Sequence, residues 1–538
     1  MSDREKDNPS HPTPPSPDEI QKEIETFMRD KFGKNIQIVA QPFGFDGVSD
    51  SNETIEEPEE VEERPEFDLD FDYSPRDIKN YLDKYVIKQD EAKKALAIAV
   101  CDHYNHVREC HEADMDPDIE LDDDNYSKQN VIMLGPTGVG KTYLVKVIAK
   151  LIGVPFVKAD ATRFTEMGYV GSNVDDLVRD LVHMASDNIE LAQYGIIYFD
   201  EADKIAGSSE HGGKDVSGRG VQHALLKLME ETEIDLRSGN DVASQMQAFM
   251  DFQRSGKVSK KVINTKHILF IVSGAFHGLD DIIRKRLRTG AIGLKSPKSK
   301  DKLKSEKDIF KYANTKDFID FGLEPEFIGR LPVRLSCQAL SIDDLYGILK
   351  ESKGSIIYQY IRAFSAYGIE VFFKDEALRE IAEYAFEEST GARALMTVCE
   401  KIFRDFKFEL PSTDIKSFVV TKDLVDDPKK ELSKIMADPY YSRRMVFEEK
   451  VRESERRFFD EHNIIVKLND DALGEYFELY KDSGRNVEAM TAELFQGFIH
   501  GLKIIEQNNG TMEFILEKEA ITDPSNYFEL MIKNSYKK

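Results

Sequence analysis

Cysteine is scarce in this chain: Cys101, Cys110, Cys337 and Cys399 are the four in 538 residues, and no two form a CxxC pair. That excludes a zinc ribbon and a disulfide framework and leaves the expectation of buried thiols in a reducing compartment. Long apolar runs are also missing, and none reaches the roughly 20 residues that a membrane-spanning helix requires. The opening Met1-Ser2-Asp3-Arg4, followed by prolines, does not read as a secretory leader. A soluble, cytoplasmic chain with no membrane partner is expected. Positive charge is in deficit, with 73 Lys and Arg against 100 Asp and Glu, a formal net charge of −27. Such a surface repels a phosphate backbone, so nucleic acid is not expected as a partner. The basic cluster Lys295–Lys304 reads as a solvated loop.

At this length a single core is not expected. Residues 1–17 are rich in Pro and Ser and read as disordered. Ile20, Ile24, Phe27, Met28 and Phe32 recur at helical spacing, and an acidic run follows from about Ser49 to Asp72. Residues 1–72 therefore read as a flexible arm with a short helix and an acidic linker. Ser74-Pro75 marks a helix start. From there helices alternate with the apolar strands Val131–Leu134, Phe156–Lys158, Gly195–Phe199 and Ile268–Val272. The alternation predicts an α/β domain over 73–336, built on a parallel sheet covered on both faces.

After Cys337 the pattern predicts a smaller, mainly helical α/β module over 337–428. Its elements are a long helix (Ile342–Phe364), a strand (Ile369–Phe373), two helices and a strand (Lys416–Val420). Residues 429–538 resemble it. Gly368-Ile369-Glu370-Val371 through Asp375-Glu376-Ala377-Leu378 parallels Asn463-Ile464-Ile465-Val466 through Asp470-Asp471-Ala472-Leu473. Asp427-Pro428 and Asp523-Pro524 close the two stretches, so the second reads as a degenerate copy of the first.

The chemistry begins at Gly135-Pro136-Thr137-Gly138-Val139-Gly140-Lys141-Thr142, directly after Val131–Leu134. Strand, glycine turn and helix start form a GxxxxGK[ST] phosphate-binding loop in its proper context. Backbone N–H groups close around phosphate oxygens, and the helix N-terminus adds its partial positive charge. Lys141 is expected to reach the terminal phosphates and the Thr142 hydroxyl to hold Mg²⁺, which makes ATP and Mg²⁺ the expected cofactors. Ile196–Phe199 runs into Asp200-Glu201. A strand beside the loop would bring Asp200 to the metal and let Glu201 polarise the attacking water. Ser273, ending another strand, can contact the γ-phosphate or the attacking water, or can simply terminate the strand.

With these residues in place, the chain resembles the AAA+ unfoldases of the ClpX/HslU group. Tyr81-Leu82-Asp83-Lys84-Tyr85-Val86-Ile87-Lys88-Gln89-Asp90 is similar to their adenine-pocket segment, with Lys88 where they usually carry Gly. Asp160–Gly171, containing Gly168-Tyr169-Val170-Gly171, is similar to their first pore loop, and Asp215–Gln222 to the second pore region. Gly322–Val333, containing Gly329-Arg330, is similar to the arginine-finger segment, and Thr390-Gly391-Ala392-Arg393 to the sensor-2 motif. The likeness runs in order from Ser74 to Asp427. It implies that Val86 and Ile87 contact adenine and that Arg393 reports nucleotide state. It implies that Tyr169, with Val170, grips polypeptide in a ring pore, and that Arg330 reaches a neighbour's γ-phosphate, so the active form is a homo-hexamer.

Thr289-Gly290-Ala291-Ile292-Gly293-Leu294 lies where ClpX proteins carry a protease-docking loop, so Ile292, Gly293 and Leu294 are implied to dock on a ClpP-type peptidase. The segment between Glu231 and Lys266 is too short for HslU's intermediate domain, which also favours the ClpX side. The zinc-binding domain usual before ClpX is not expected here. The function implied is ATP-dependent unfolding and translocation of unfolded or tagged proteins toward that peptidase. The alternatives are a remodelling chaperone without a protease and an HslV-type partner.

Overall fold

A computed structural model describes residues 71–115, 126–164, 173–207, 216–236, 261–289, 308–481 and 483–536. The expectations for residues 1–70, Tyr169, Val170, Ile292, Gly293 and Leu294 lie outside the described residues. The chain divides into two units, Met1–Glu66 and Phe67–Lys538, and every described residue belongs to the second.

The first helix of that unit, α1 (Pro75–Asp83), starts where the sequence says. Ser74 and Asp77 cap each other reciprocally, and Pro75 takes the first turn. α2 (Asp90–Met115) comes next. Five strands then form one parallel sheet: β1 (Val131–Leu134), β2 (Phe156–Asp160), β3 (Ile196–Asp200), β4 (Leu269–Gly274) and β5 (Val333–Ser336), in the order β2-β3-β4-β1-β5. β1 is flanked on both sides, so the turn that leaves it opens at a crevice beyond the strand ends.

Alternate strand residues face opposite sides. Val131, Met133, Ile196 and Tyr198 join one core with Leu144 and Ile148 of α3 (Lys141–Ile152). Ile132, Leu134, Ile197 and Phe199 join another with Leu177, Leu181, Leu225 and Leu228. Both faces are covered, as the continuous apolar strands require. All four cysteines are buried, and none forms a disulfide.

Two elements depart from expectation. β5 was not foreseen: Val-Arg-Leu-Ser is no apolar run, and only Leu335 is fully buried, because β5 is an edge strand. The long helix over 342–364 is two, α4 (Ile342–Lys350) and α5 (Ile356–Ser365). The chain breaks because Ser352 donates its hydroxyl to the Tyr85 carbonyl at 2.6 Å, while Ser355 starts α5 as its N-cap. The break ties the second module to the segment after α1.

That tie continues through the hinge. The Gln89 amide bonds both the carbonyl and the N–H of Gln338, at 2.8 and 2.7 Å. Lys88 donates to the Ala339 carbonyl at 2.8 Å and pairs with Asp344 at 2.7 Å. Lys88 has φ +61°, so its backbone keeps the left-handed conformation that glycine adopts more readily.

Beyond α5 come β6 (Glu370–Phe373), α6 (Asp375–Glu387), α7 (Arg393–Glu409), β7 (Ser417–Val420) and α8 (Pro428–Ala437). β6 and β7 pair in parallel, and their core is continuous with one face of the large sheet. A 24-residue helix, α9 (Pro439–His462), then leads to β8 (Ile465–Leu468), α10 (Asp470–Lys481), α11 (Val487–Asn509), β9 (Glu513–Leu516) and α12 (Pro524–Ser535). β8 and β9 also pair in parallel, over a separate core that includes Phe447, Phe458, Leu473, Phe495 and Leu502.

The details recur. Asp427 (φ −137°, ψ 78°) caps α8, and Asp523 (φ −143°, ψ 71°) caps α12. Lys374 N–H donates to Val420 O, and Asn469 N–H to Leu516 O, each at 3.0 Å. The outer faces differ. Phe372 lies under the Lys450 ammonium of α9, whereas at the matching place in the second pair Lys467 and Glu513 form an ion pair at 2.9 Å.

Candidate active site

The phosphate loop leaves β1 at Leu134 and enters α3 at Lys141. Gly140, the residue before α3, is left-handed and carries no capping side chain. The first N–H groups of α3 are thus left to a ligand, where the helix dipole favours an anion. The Lys141 ammonium is held by the carbonyls of Gly135 and Pro136, at 2.5 and 2.8 Å. Burial lowers its pKa, which raises the gain from pairing it with a phosphate.

β3, two strands away, ends at the same level. The Thr142 hydroxyl lies 3.3 Å from Asp200 Oδ2 and 3.2 Å from the Tyr198 hydroxyl. Tyr198 and Ser273 share a hydrogen bond of 2.6 Å, and the Ser273 hydroxyl donates to Asp200 Oδ1, also at 2.6 Å. Lys158 of β2 pairs with Asp200 Oδ2 at 2.9 Å. Burial alone would raise the Asp200 pKa, but the Ser273 hydroxyl and the Lys158 ammonium outweigh it and hold the group below the usual carboxylate range. Asp200 is therefore a carboxylate at neutral pH. Its oxygens beside the Thr142 hydroxyl form the hard-oxygen set that Mg²⁺ prefers, so the residues fit that ion.

Glu201 comes next, in the left-handed region at φ +57°. A non-glycine residue there is strained, and such strain recurs at functional positions. The turn leaves its side chain exposed while its N–H donates to Asp200 Oδ1 at 3.1 Å.

The second module closes the site. Ala392 N–H donates to the Gly138 carbonyl at 2.8 Å. A Cβ on Gly138 would lie 2.0 Å from the Thr390 carbonyl, so only glycine permits the contact. The result is a cleft of roughly 640 Å³ between the modules. It is lined by Val86 and Ile87, residues 137–142, Asp200, Glu201 and Arg393. Gly135 and Pro136 sit behind it as the seat of Lys141, and Ser273 reaches it through Asp200.

Arg330 is not among the lining residues. Its guanidinium pairs with Glu230 at 2.6 Å on the exposed surface. Sequence reasoning missed Lys158, Tyr198, Asp203 and Lys204, and also Leu395 and Met396 on the apolar wall. Tyr198 could have been found, since two residues before Asp200 on a strand is the same face.

The family model described as AAA domain (Cdc48 subfamily) matches residues 126–334. The protein of Borrelia duttonii (strain Ly) described as ATP-dependent Clp protease ATP-binding subunit ClpX is 41% identical over 357 residues, 65% of this chain and 78% of that protein. The protein of the same description from Borrelia recurrentis (strain A1) matches at the same identity and coverage. No helix among the described residues is long and apolar enough to cross a membrane. Nucleotide cleft, parallel sheet and relatives agree: the chain belongs to the ClpX family of AAA ATPases.

Proposed function

We propose that this chain is an ATP-driven protein unfoldase and translocase that works as a homo-hexameric ring and delivers unfolded or tagged proteins to a ClpP-type peptidase. The observation that carries it is the Ala392–Gly138 contact. The cleft lies between two modules that meet backbone to backbone at the phosphate loop, so a ligand there must bias their mutual orientation. Nucleotide turnover is thereby coupled to movement.

Thr142 and Asp200 would hold Mg²⁺, which when bound neutralises phosphate charge. Lys141 binds the terminal phosphates, Val86 and Ile87 contact the base, and Glu201 takes a proton from the attacking water. Ser273 orients Asp200, and Arg393 links the lid to the phosphates. Arg330 does not line its own cleft and pairs with Glu230. Its role is to stabilise transition-state charge in a neighbouring protomer, which requires the ring. Tyr169 and Val170 grip the translocating chain, and Ile292, Gly293 and Leu294 dock on the peptidase. Residues 429–538 act as a second, degenerate lid: the strand order, parallel register and Asp-Pro caps match the first, while Arg485 is engaged by Glu493 at 2.6 Å instead of a phosphate loop.

The test is ATP-dependent loss of fluorescence from a tagged, folded reporter, with and without ClpP. Loss in both, with fragments only when ClpP is present, is expected. Loss without fragments would favour a chaperone or an HslV-type partner, and turnover without loss would overturn the unfolding role. Tyr169→Ala should impair unfolding more than ATP turnover.

A further inference from the structure

The two oxygens of Asp200 are not equivalent. Oδ1 is occupied from the sheet side by the Ser273 hydroxyl at 2.6 Å and from its own turn by the Glu201 N–H at 3.1 Å. Oδ2 is the oxygen beside the Thr142 hydroxyl, at 3.3 Å, and so the one offered to a cation at the phosphate end of the cleft. Oδ2 is also the oxygen that the Lys158 ammonium holds at 2.9 Å. Lys158 stands on β2, in register with Tyr198 on β3, and Tyr198 bonds both Thr142 and Ser273. Its side chain is 40% exposed, so its charge can move into water at little cost in packing.

We propose that Lys158 is a built-in competitor for the divalent cation: its ammonium occupies Asp200 Oδ2 and must yield that oxygen, or share it through water, when the metal–nucleotide complex binds. The inference rests on the reading of Asp200 and Thr142 as the residues that face Mg²⁺. Two cations near one carboxylate oxygen repel each other, and the repulsion is strong in a partly buried cleft. Lys158 therefore lowers the affinity for the cation. A cleft without this lysine would hold the cation more tightly and be slower to release it after each turnover.

The measurement is the affinity of the full-length chain for a fluorescent ATP analogue labelled on the ribose, in Mg²⁺ and in EDTA. The dissociation constant in EDTA divided by that in Mg²⁺ reports cation coupling without requiring turnover. Lys158→Met, which keeps the stem and removes the charge, should raise the ratio at least about threefold. Lys158→Arg should leave it within about twofold, since the charge remains. An unchanged or smaller ratio in Lys158→Met, with a reduced ratio in Asp200→Asn, overturns the competition alone. An Asp200→Asn ratio equal to wild type overturns the reading of Asp200 itself, and the inference with it.

Discussion

Gly391 and Gly138 meet with no side chain between them: a Cβ on Gly391 would sit 2.7 Å from the Gly138 carbonyl oxygen. Gly391 also has φ +64°, which costs an ordinary residue about 1 kcal/mol. Gly391→Ala should lift the lid from the phosphate loop and weaken ATP binding about tenfold, while circular dichroism shows an intact fold. Isothermal titration with ATP checks this, and unchanged affinity would mean that lid contact is not needed for binding.

Glu201→Gln keeps the size and the strained turn but cannot accept a proton. Nucleotide binding should persist while phosphate release falls at least about 100-fold, the usual loss when a general base is removed. Turnover near wild type would remove Glu201 as the base.

Tyr198→Phe deletes one hydroxyl from a buried network and leaves those of Thr142 and Ser273 to Asp200. Losing one hydrogen bond from such a network costs about 0.5–1.5 kcal/mol. Because the partners are Thr142, assigned to the metal, and Ser273, which orients Asp200, kcat should drop about tenfold with KM for ATP within twofold. A loss confined to thermal stability would make Tyr198 a packing residue only.

Lys88 separates strain from pairing. Lys88→Ala keeps the positive φ and loses the pair with Asp344, so urea denaturation should show a loss of about 1–2 kcal/mol. Lys88→Gly also loses the pair but relieves about 1 kcal/mol of strain, and should lie nearer wild type. The reverse order would mean that the strain is absent.

His103 gives a pH signature. It is fully buried, donates from Nε2 to the His267 carbonyl at 2.9 Å, and burial lowers its pKa to about 3. The unfolded chain binds this proton near pH 6.5, so between about 6.5 and 3 it holds more protons than the folded one. Stability must then fall with pH below 6.5, by up to about 1.4 kcal/mol per unit. His103→Gln should flatten the melting-temperature profile between pH 6.5 and 5. A slope identical to wild type would acquit His103.

The phosphate loop was legible because strand, glycine turn and helix are contiguous, and β3 because four apolar residues precede two acids. What escaped was set by neighbours far along the chain. β5 forms only because β1 offers an edge to Val333–Ser336. Lys158 gains its meaning from a register that places it opposite Tyr198, 40 positions later. The break between α4 and α5 depends on the carbonyl of Tyr85, which Ser352 reaches across the hinge. Lys88 was visible as an oddity, but its partner Asp344 is 256 positions away. Local chemistry can be read along a sequence, whereas positioning residues are defined by the fold.

α9 is one continuous helix of 24 residues, about 36 Å long. Near its start the Ser442 hydroxyl donates to the Ser417 carbonyl of β7, and past its middle Arg452 and Glu455 grip Leu468 of β8. It works as a boom fastened to β7 and carrying the module of β8 and β9. Each degree by which the lid turns about the phosphate loop displaces the far end of such a boom by about 0.6 Å. A modest hinge motion at the cleft thus becomes a sweep of several ångströms at the far end of this helix, where the module proposed as a second lid would have leverage on whatever lies beside it.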